Sequence, residues 1–194
     1  MLSELFKQFS RAYKDEVGLT ISREMESYKI LVKKVPDELR SIIDSEDLDI
    51  KGSIGQGNTT YYPWVGIFDE RVSTGATNGF YVVFLFSDDY EDVYLTLNQG
   101  STRQDSDVIK NTKSFVFDLY PEVEGFSRGE LPEGSLVKTR DYSSGNKGDK
   151  YEKTNMFYKK FVIDELKDDS EIIKYLETIL DVYQDCAEKY TMKT

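Results

Sequence analysis

The 194-residue chain contains no histidine, one cysteine, one tryptophan and four prolines. Without histidine there is no imidazole to act as a general base, to complete a Ser-His-Asp triad or to fill the commonest zinc-ligand position. The lone cysteine, Cys186, has no partner for an internal disulfide, which fits a reducing compartment. It falls in a helical pattern and reads as a packing residue. No apolar run reaches membrane length and no signal-peptide pattern is present, so a cytoplasmic protein without a membrane partner is expected. Carboxylates are plentiful, but none falls in an apolar stretch suited to acid–base work. The expectation is therefore no catalytic residue, no metal and no cofactor.

Aromatic residues are abundant, with 14 tyrosines and 11 phenylalanines, and 39% of the chain is hydrophobic. That supports a substantial core, with some tyrosines left at the surface for binding. The formal charge is −11. Alone, this opposes a nucleic-acid partner, because phosphate contacts require Lys and Arg. The distribution is uneven, however. Residues 138–160 carry seven basic residues (Lys138, Arg140, Lys147, Lys150, Lys153, Lys159, Lys160) against three acids, while acids gather at 37–49, 88–92 and 164–185. One basic face on an acidic molecule is the functional reading. A uniformly solvated acidic surface is the plain alternative.

Periodicity predicts a helix over 2–13, with Leu2, Leu5, Phe6, Phe9 and Tyr13 on one face, and helical structure over 28–43 that restarts at Pro36-Asp37-Glu38. Residues 18–22 read as an extended link. Strands are predicted at 48–54, 63–68, 79–86 and 93–97, with 81–86 apolar enough to be covered on both faces and 87–92 an acidic hairpin loop. Beyond Gly100 the reading is a helix over 101–120, a loop over 121–133, a short strand beginning at Leu136-Val137, a Ser/Gly/Lys-rich loop over 141–150, and helices over 151–166 and 169–189. The fold class is α+β, a mostly antiparallel central sheet flanked by N-terminal and C-terminal helices. We read 1–194 as one domain: a helical lead-in (1–47), a strand meander (48–100), and helices with a basic loop (101–194).

Gly55-Gln56-Gly57-Asn58 lies where one strand ends. Two glycines two apart permit a sharp turn or a close approach to a ligand, and Asn58 can fix the turn through its own backbone. An ordinary structured loop would look the same. A third glycine is missing and a strand follows, so this is not a dinucleotide fingerprint; no Gly-Lys-Ser/Thr follows, so it is not a phosphate loop. Pro63-Trp64 opens the next strand, and Tyr81 and Leu85, four apart in a strand, share one face. A ring and an aliphatic beside a neighbouring Trp form a slot for a planar ligand. The same residues would equally serve a sheet face packed on a helix.

The segments 50–58, Pro63-Trp64, 78–85 and 94–100, in this order and spacing, resemble the McrB-like N-terminal domain, the DNA-reading module of modification-dependent (type IV) restriction systems. Residues 151–190 also look like the closing helices of that family. The resemblance implies a domain that binds double-stranded DNA bearing 5-methylcytosine or 5-hydroxymethylcytosine and flips the modified base into a pocket. It places the pocket's stacking aromatics and aliphatic wall on Trp64, Tyr81 and Leu85. The residue between the loop glycines, which fills the gap left in the duplex, is Gln56. A member of the family carries an aromatic there; an amide can instead pair with the orphaned base. The resemblance also implies a GTPase or nuclease effector on another domain or subunit. Phosphate contacts would fall to Lys51, Lys138, Arg140, Lys147 and Lys150, with Arg71, Arg103, Lys110 and Lys113 as further candidates.

The energetics suit base reading. Extrusion costs a few kcal/mol, and base–aromatic stacking returns about 1–3 kcal/mol per base. Burying a cytosine methyl adds on the order of 1 kcal/mol, which is roughly tenfold in affinity. Two other functions compete. Asp164-Glu165-x-Lys167 matches a nuclease-like Glu-x-Lys, but in a helix end within an acidic run. A protein-interaction module of a defence system, with no base-reading activity, would retain the same aromatic residues as core.

Overall fold

The computed structural model describes residues 1–100, 102, 104–136 and 147–192. The first helix, α1 (Leu2–Glu16), buries Leu2, Phe6, Phe9 and Tyr13 at the predicted spacing. Its first turn is capped from far along the chain. The Asp169 carboxylate accepts the backbone N–H groups of Leu2 (2.7 Å) and Ser3 (2.8 Å) and the Ser3 hydroxyl (2.6 Å).

A second helical rod joins α2 (Glu26–Tyr28), a π-helical segment (Lys29–Lys34) and α3 (Val35–Ile42). Pro36 falls in the first turn of α3 and has no N–H to give the turn before it, and the π-helical segment lies immediately ahead of it. The widened turn ahead of it lets the Val35 N–H reach the Ile30 carbonyl. The predicted restart is thus a change of pitch within one rod. That rod lies so close to the sheet that a Cβ added at Gly52 would sit 1.8 Å from the Leu31 carbonyl oxygen.

Among the described residues the sheet has six strands, all antiparallel, in the order β1-β2-β3-β4-β6-β5. They are β1 (Leu48–Gln56), β2 (Asn58–Asp69), β3 (Phe80–Phe86), β4 (Asp92–Gln99), β5 (Ser127–Arg128) and β6 (Phe157–Val162). Every residue of β3 is buried, as its continuous apolar run predicts. The remaining helices among the described residues are α4 (Ser106–Leu119), α5 (Lys147–Thr154) and α6 (Ser170–Thr191). The architecture is α+β, as the sequence implies.

Several readings beyond Gly100 are corrected, and the loop read over 141–150 gives way to α5 from Lys147. Residues 151–166 do not form a helix: α5 ends at Thr154, and Phe157–Val162 enters the sheet beside β4, with Leu97 opposite Phe157 and Val93 opposite Phe161. Phe157 and Phe161 are four apart, a spacing that shares a face in a strand as well as in a helix. The aromatic-rich run fits a pleated surface, and pairing with β4 decides the matter. A short 3₁₀ turn (Ile163–Glu165) follows. Residues 121–133, read as loop, contain the two-residue β5. Leu136 is not in a strand, and Val137 lies outside the described residues.

The two sheet faces have separate cores. The main core packs Ile50, Val65, Ile67, Val82, Phe84, Val93, Leu95 and Leu97 against α1, the second rod and α6. The opposite face holds a smaller cluster built on Tyr62, Phe68, Tyr81, Val83, Leu85 and Tyr94, joined by Leu131 and Leu136.

Candidate nucleic-acid interface

The Gly-x-Gly-Asn loop is the tip of the β1–β2 hairpin. Gln56 pairs with Asn58 around Gly57, and the register shifts between Ser53 and Gly55. Gly55 adopts φ +122°, and a Cβ there would lie 2.4 Å from the Asn58 carbonyl oxygen. A side chain at this position is refused on both counts. Gly57 is also left-handed (φ +75°), but open space surrounds it. Gln56, Gly57 and Asn58 are exposed.

The tip is supported by the C-terminal end of α1 and the segment after it. The Tyr13 hydroxyl, fully buried, donates to the Thr60 carbonyl at 2.5 Å. The Thr59 hydroxyl donates to the Glu16 carbonyl at 2.7 Å. The extended link predicted at 18–22 forms a short third ladder: Thr59 N–H bonds the Leu19 carbonyl, Ile21 N–H bonds the Gly57 carbonyl, both at 2.8 Å, and Thr20 bridges to Asn58.

Trp64, Tyr81 and Leu85 converge on the smaller cluster. Trp64 lies directly opposite Leu85 across the β2–β3 ladder, and Tyr81 is one side-chain step further along the same face of β3 than Val83. Phe68 joins them. Its ring folds back over Gly66, where a Cβ would meet it at 2.4 Å, and it contacts Trp64 edge-on at 6.0 Å and Tyr81 at 5.2 Å between centroids. The Tyr81 hydroxyl donates to the Ala76 carbonyl at 3.1 Å. Burial, reinforced by nearby Tyr151, pushes its pKa well above the ordinary tyrosine value.

The three residues differ in access. Tyr81 is 0% and Leu85 1% exposed, whereas Trp64 is half-buried. Leu131 and Leu136 arrive from the segment after β5 and pack into the same cluster. Phe68 was legible in the alternation of β2, but nothing in the sequence placed the two leucines here. Their segment is tied to α5: Leu131 N–H bonds the Glu152 carbonyl at 3.1 Å, and Leu136 N–H bonds the buried Glu152 carboxylate at 2.8 Å.

The model of the family described as MrcB-like, N-terminal domain, matches residues 8–188. The chain belongs to this family. It is the McrB-like family that the motifs resemble, and the match takes in the whole sheet and the hairpin tip. No curated protein matches the chain.

Among the described residues, most of the candidate DNA-contacting cations of this MrcB-like domain are committed to other contacts. Lys51 projects from the pocket-side face of β1, where its ammonium contacts Asp49. Lys160 pairs with Asp92 at 2.6 Å and Lys153 with Asp149 at 2.8 Å. Lys159 lies over the Tyr175 ring at 4.3 Å. Arg71 is held by the buried Asp69 carboxylate at 2.6 Å. Lys113 donates to the Lys153 carbonyl at the end of α5, and partial burial lowers its pKa. Lys110 and Lys150 are exposed. Lys138, Arg140 and Arg103 lie outside the described residues, as does the side chain of Lys147.

Asp164 and Glu165 are exposed in the 3₁₀ turn after β6. Cys186 is fully buried, and burial raises its thiol pKa to about 12, so it is no nucleophile at neutral pH. Among the described residues no group of three or more Cys, Asp or Glu side chains is placed to hold a metal, and no helix is long and apolar enough to cross a membrane.

Proposed function

We propose that this MrcB-like domain is the DNA-binding specificity module of a modification-dependent restriction system. It reads a modified base, 5-methylcytosine or 5-hydroxymethylcytosine, in duplex DNA by flipping it into an aromatic pocket. The convergence of Trp64, Tyr81 and Leu85 on one sheet face, beside a rigid exposed hairpin carrying Gln56, supports this reading most strongly. In it, Gln56 fills the duplex gap, Gly55, Gly57 and Asn58 shape the tip, and Trp64 is the ring a base meets first. Lys51 and Lys150, with Lys138, Arg140 and Lys147, contact the backbone. The domain itself is not an enzyme. Its effector is a GTPase or nuclease on another domain or subunit, in the cytoplasm, and residues 1–194 act as one unit.

Closure of Tyr81 and Leu85 to solvent favours one other reading, a protein-interaction module without base reading. A low-salt titration separates the two. The ligands are one duplex carrying cytosine, 5-methylcytosine, 5-hydroxymethylcytosine or N6-methyladenine at a single site, with 2-aminopurine reporting extrusion. Tighter binding to one modified duplex, lost in Trp64→Ala, supports base reading. No binding to any duplex at concentrations well above micromolar transfers the assignment to the interaction module.

A further inference from the structure

We propose that residues 129–136 form a strap that shuts the base pocket in the free protein and withdraws when a flipped base enters; this rests on the duplex-reading function above. A base cannot stack on Tyr81 while that ring is 0% exposed, and Leu85 is closed to solvent as well. Part of what closes them is Leu131 and Leu136, both buried and packed onto the same cluster. Both belong to the strap, so two aliphatic side chains lie against the surface that a base needs. Ala76 and Tyr151 of α5 pack there too. Base entry therefore requires part of this cover to move.

The strap is the part least tied down. Past β5 it belongs to no helix or strand, and its outer residues Glu130, Pro132 and Glu133 are exposed. At its start the Gly129 N–H bonds the Met156 carbonyl, and the Asn155 side-chain amide donates to the Gly129 carbonyl, both at 2.7 Å. Beyond that, among the described residues, both backbone ties run to one residue of α5. Leu131 N–H bonds the Glu152 carbonyl at 3.1 Å, and Leu136 N–H bonds the Glu152 carboxylate at 2.8 Å. The Ser135 N–H bond to the Pro132 carbonyl is internal to the strap. Gly129 (φ +104°) and Gly134 (φ +80°) hold left-handed backbone, where a change of direction meets no Cβ. By contrast, α5 is pinned to β4. The buried Asn98 side chain donates to the Tyr151 carbonyl at 3.0 Å and accepts the Thr154 hydroxyl at 2.8 Å. Segments with few backbone ties open at low free energy, and lids are drawn from them.

A closed strap weakens binding. The apparent dissociation constant is the intrinsic one divided by the fraction of molecules whose strap is open. Trimming a strap leucine raises that fraction and strengthens binding. A leucine that serves as a wall of the base site, or as plain core, gives the opposite sign or no change.

The test uses the full chain and the 2-aminopurine duplex with the preferred modification. Hydrogen exchange read by mass spectrometry compares free and bound wild type, and needs no variant. The amides of 129–136 are expected to exchange faster in the complex. Titrations then compare wild type, Leu136→Ala and Leu180→Ala, a control buried in the main core on α6. Thermal unfolding checks each fold. Leu136→Ala is expected to bind roughly tenfold more tightly than wild type, and Leu180→Ala no more tightly. If wild type prefers the modified duplex and the strap exchanges no faster in the complex, the strap is overturned while base reading stands. If Leu136→Ala folds and binds no more tightly than wild type, the leucine does not block the pocket and the strap again fails. If Leu180→Ala gains as much affinity, the effect is general softening and the strap fails. If neither wild type nor Leu136→Ala binds any duplex, base reading falls and the strap with it.

Discussion

Tyr81 is the residue whose substitution most sharply separates a packing role from a binding role. It is 0% exposed, its ring contacts Phe68 at 5.2 Å, and its hydroxyl bonds the Ala76 carbonyl. Truncation to alanine removes a whole buried aromatic ring, which costs about 3–5 kcal/mol. Against a typical domain stability of roughly 5–15 kcal/mol, that is a fifth or more of the total. A loss of binding in Tyr81→Ala would then report unfolding, not a missing stacking partner. Tyr81→Phe keeps the ring and strands only the Ala76 carbonyl, at a cost of about 1 kcal/mol. Chemical denaturation of the two variants, with the duplex titration run on each, gives the comparison. We expect Tyr81→Ala to lose about 3–5 kcal/mol of stability and Tyr81→Phe to remain folded and retain its modified-base preference. If Tyr81→Ala loses less than about 1 kcal/mol, the ring is not packed as described and the reasoning fails.

Further predictions use the same geometry. Trp64→Ala, at a half-buried position, should stay folded in the same denaturation assay while losing about 1–3 kcal/mol of stacking on a modified duplex; retained preference would remove Trp64 from the pocket. Gly55→Ala should destabilise the hairpin far more than Gly57→Ala, because only the former drives a Cβ into the Asn58 carbonyl; equal midpoints in urea would contradict this. The Asp169 carboxylate loses solvation on burial, yet its bonds from Ser3 and Leu2 outweigh that and hold its pKa below the ordinary value. A lowered folded-state pKa means stability that is present above the unfolded value of about 3.9 and lost as pH falls through the folded one. Asp169→Ala should therefore cost about 1 kcal/mol at pH 7, after allowance for partial exposure, and flatten the acid limb of a melting-temperature profile below about pH 4. Duplex affinity should fall with salt, with Lys51→Ala and Lys150→Ala each reducing the slope of log K against log[salt] by about 1.

Local chemistry carried much of this fold in plain view. Apolar residues at helical spacing marked α1 and α6, a continuous apolar run marked β3, and paired glycines marked the hairpin tip. These are short-range properties: a side-chain period of 2 or 3.6 and a left-handed backbone are properties of a few consecutive residues. Phe157–Val162 lay beyond that range. Its spacing suits both periods, and only hydrogen bonding to β4 assigns it to the sheet.

For the candidate site, the sequence by itself determined which residues share a face. Tyr81 and Leu85 are bound together by strand geometry, and Gln56 is set between glycines that require a tight turn. Tertiary structure decided everything that depends on distant partners. It placed Trp64 across from Leu85, folded Phe68 over Gly66, and brought Leu131 and Leu136 onto the same cluster from some fifty residues away in the chain. It also put Tyr81 wholly out of contact with water while leaving Trp64 half-open. Burial is a property of what the rest of the chain lays over a residue, so alternation along one strand can name the face but not its cover.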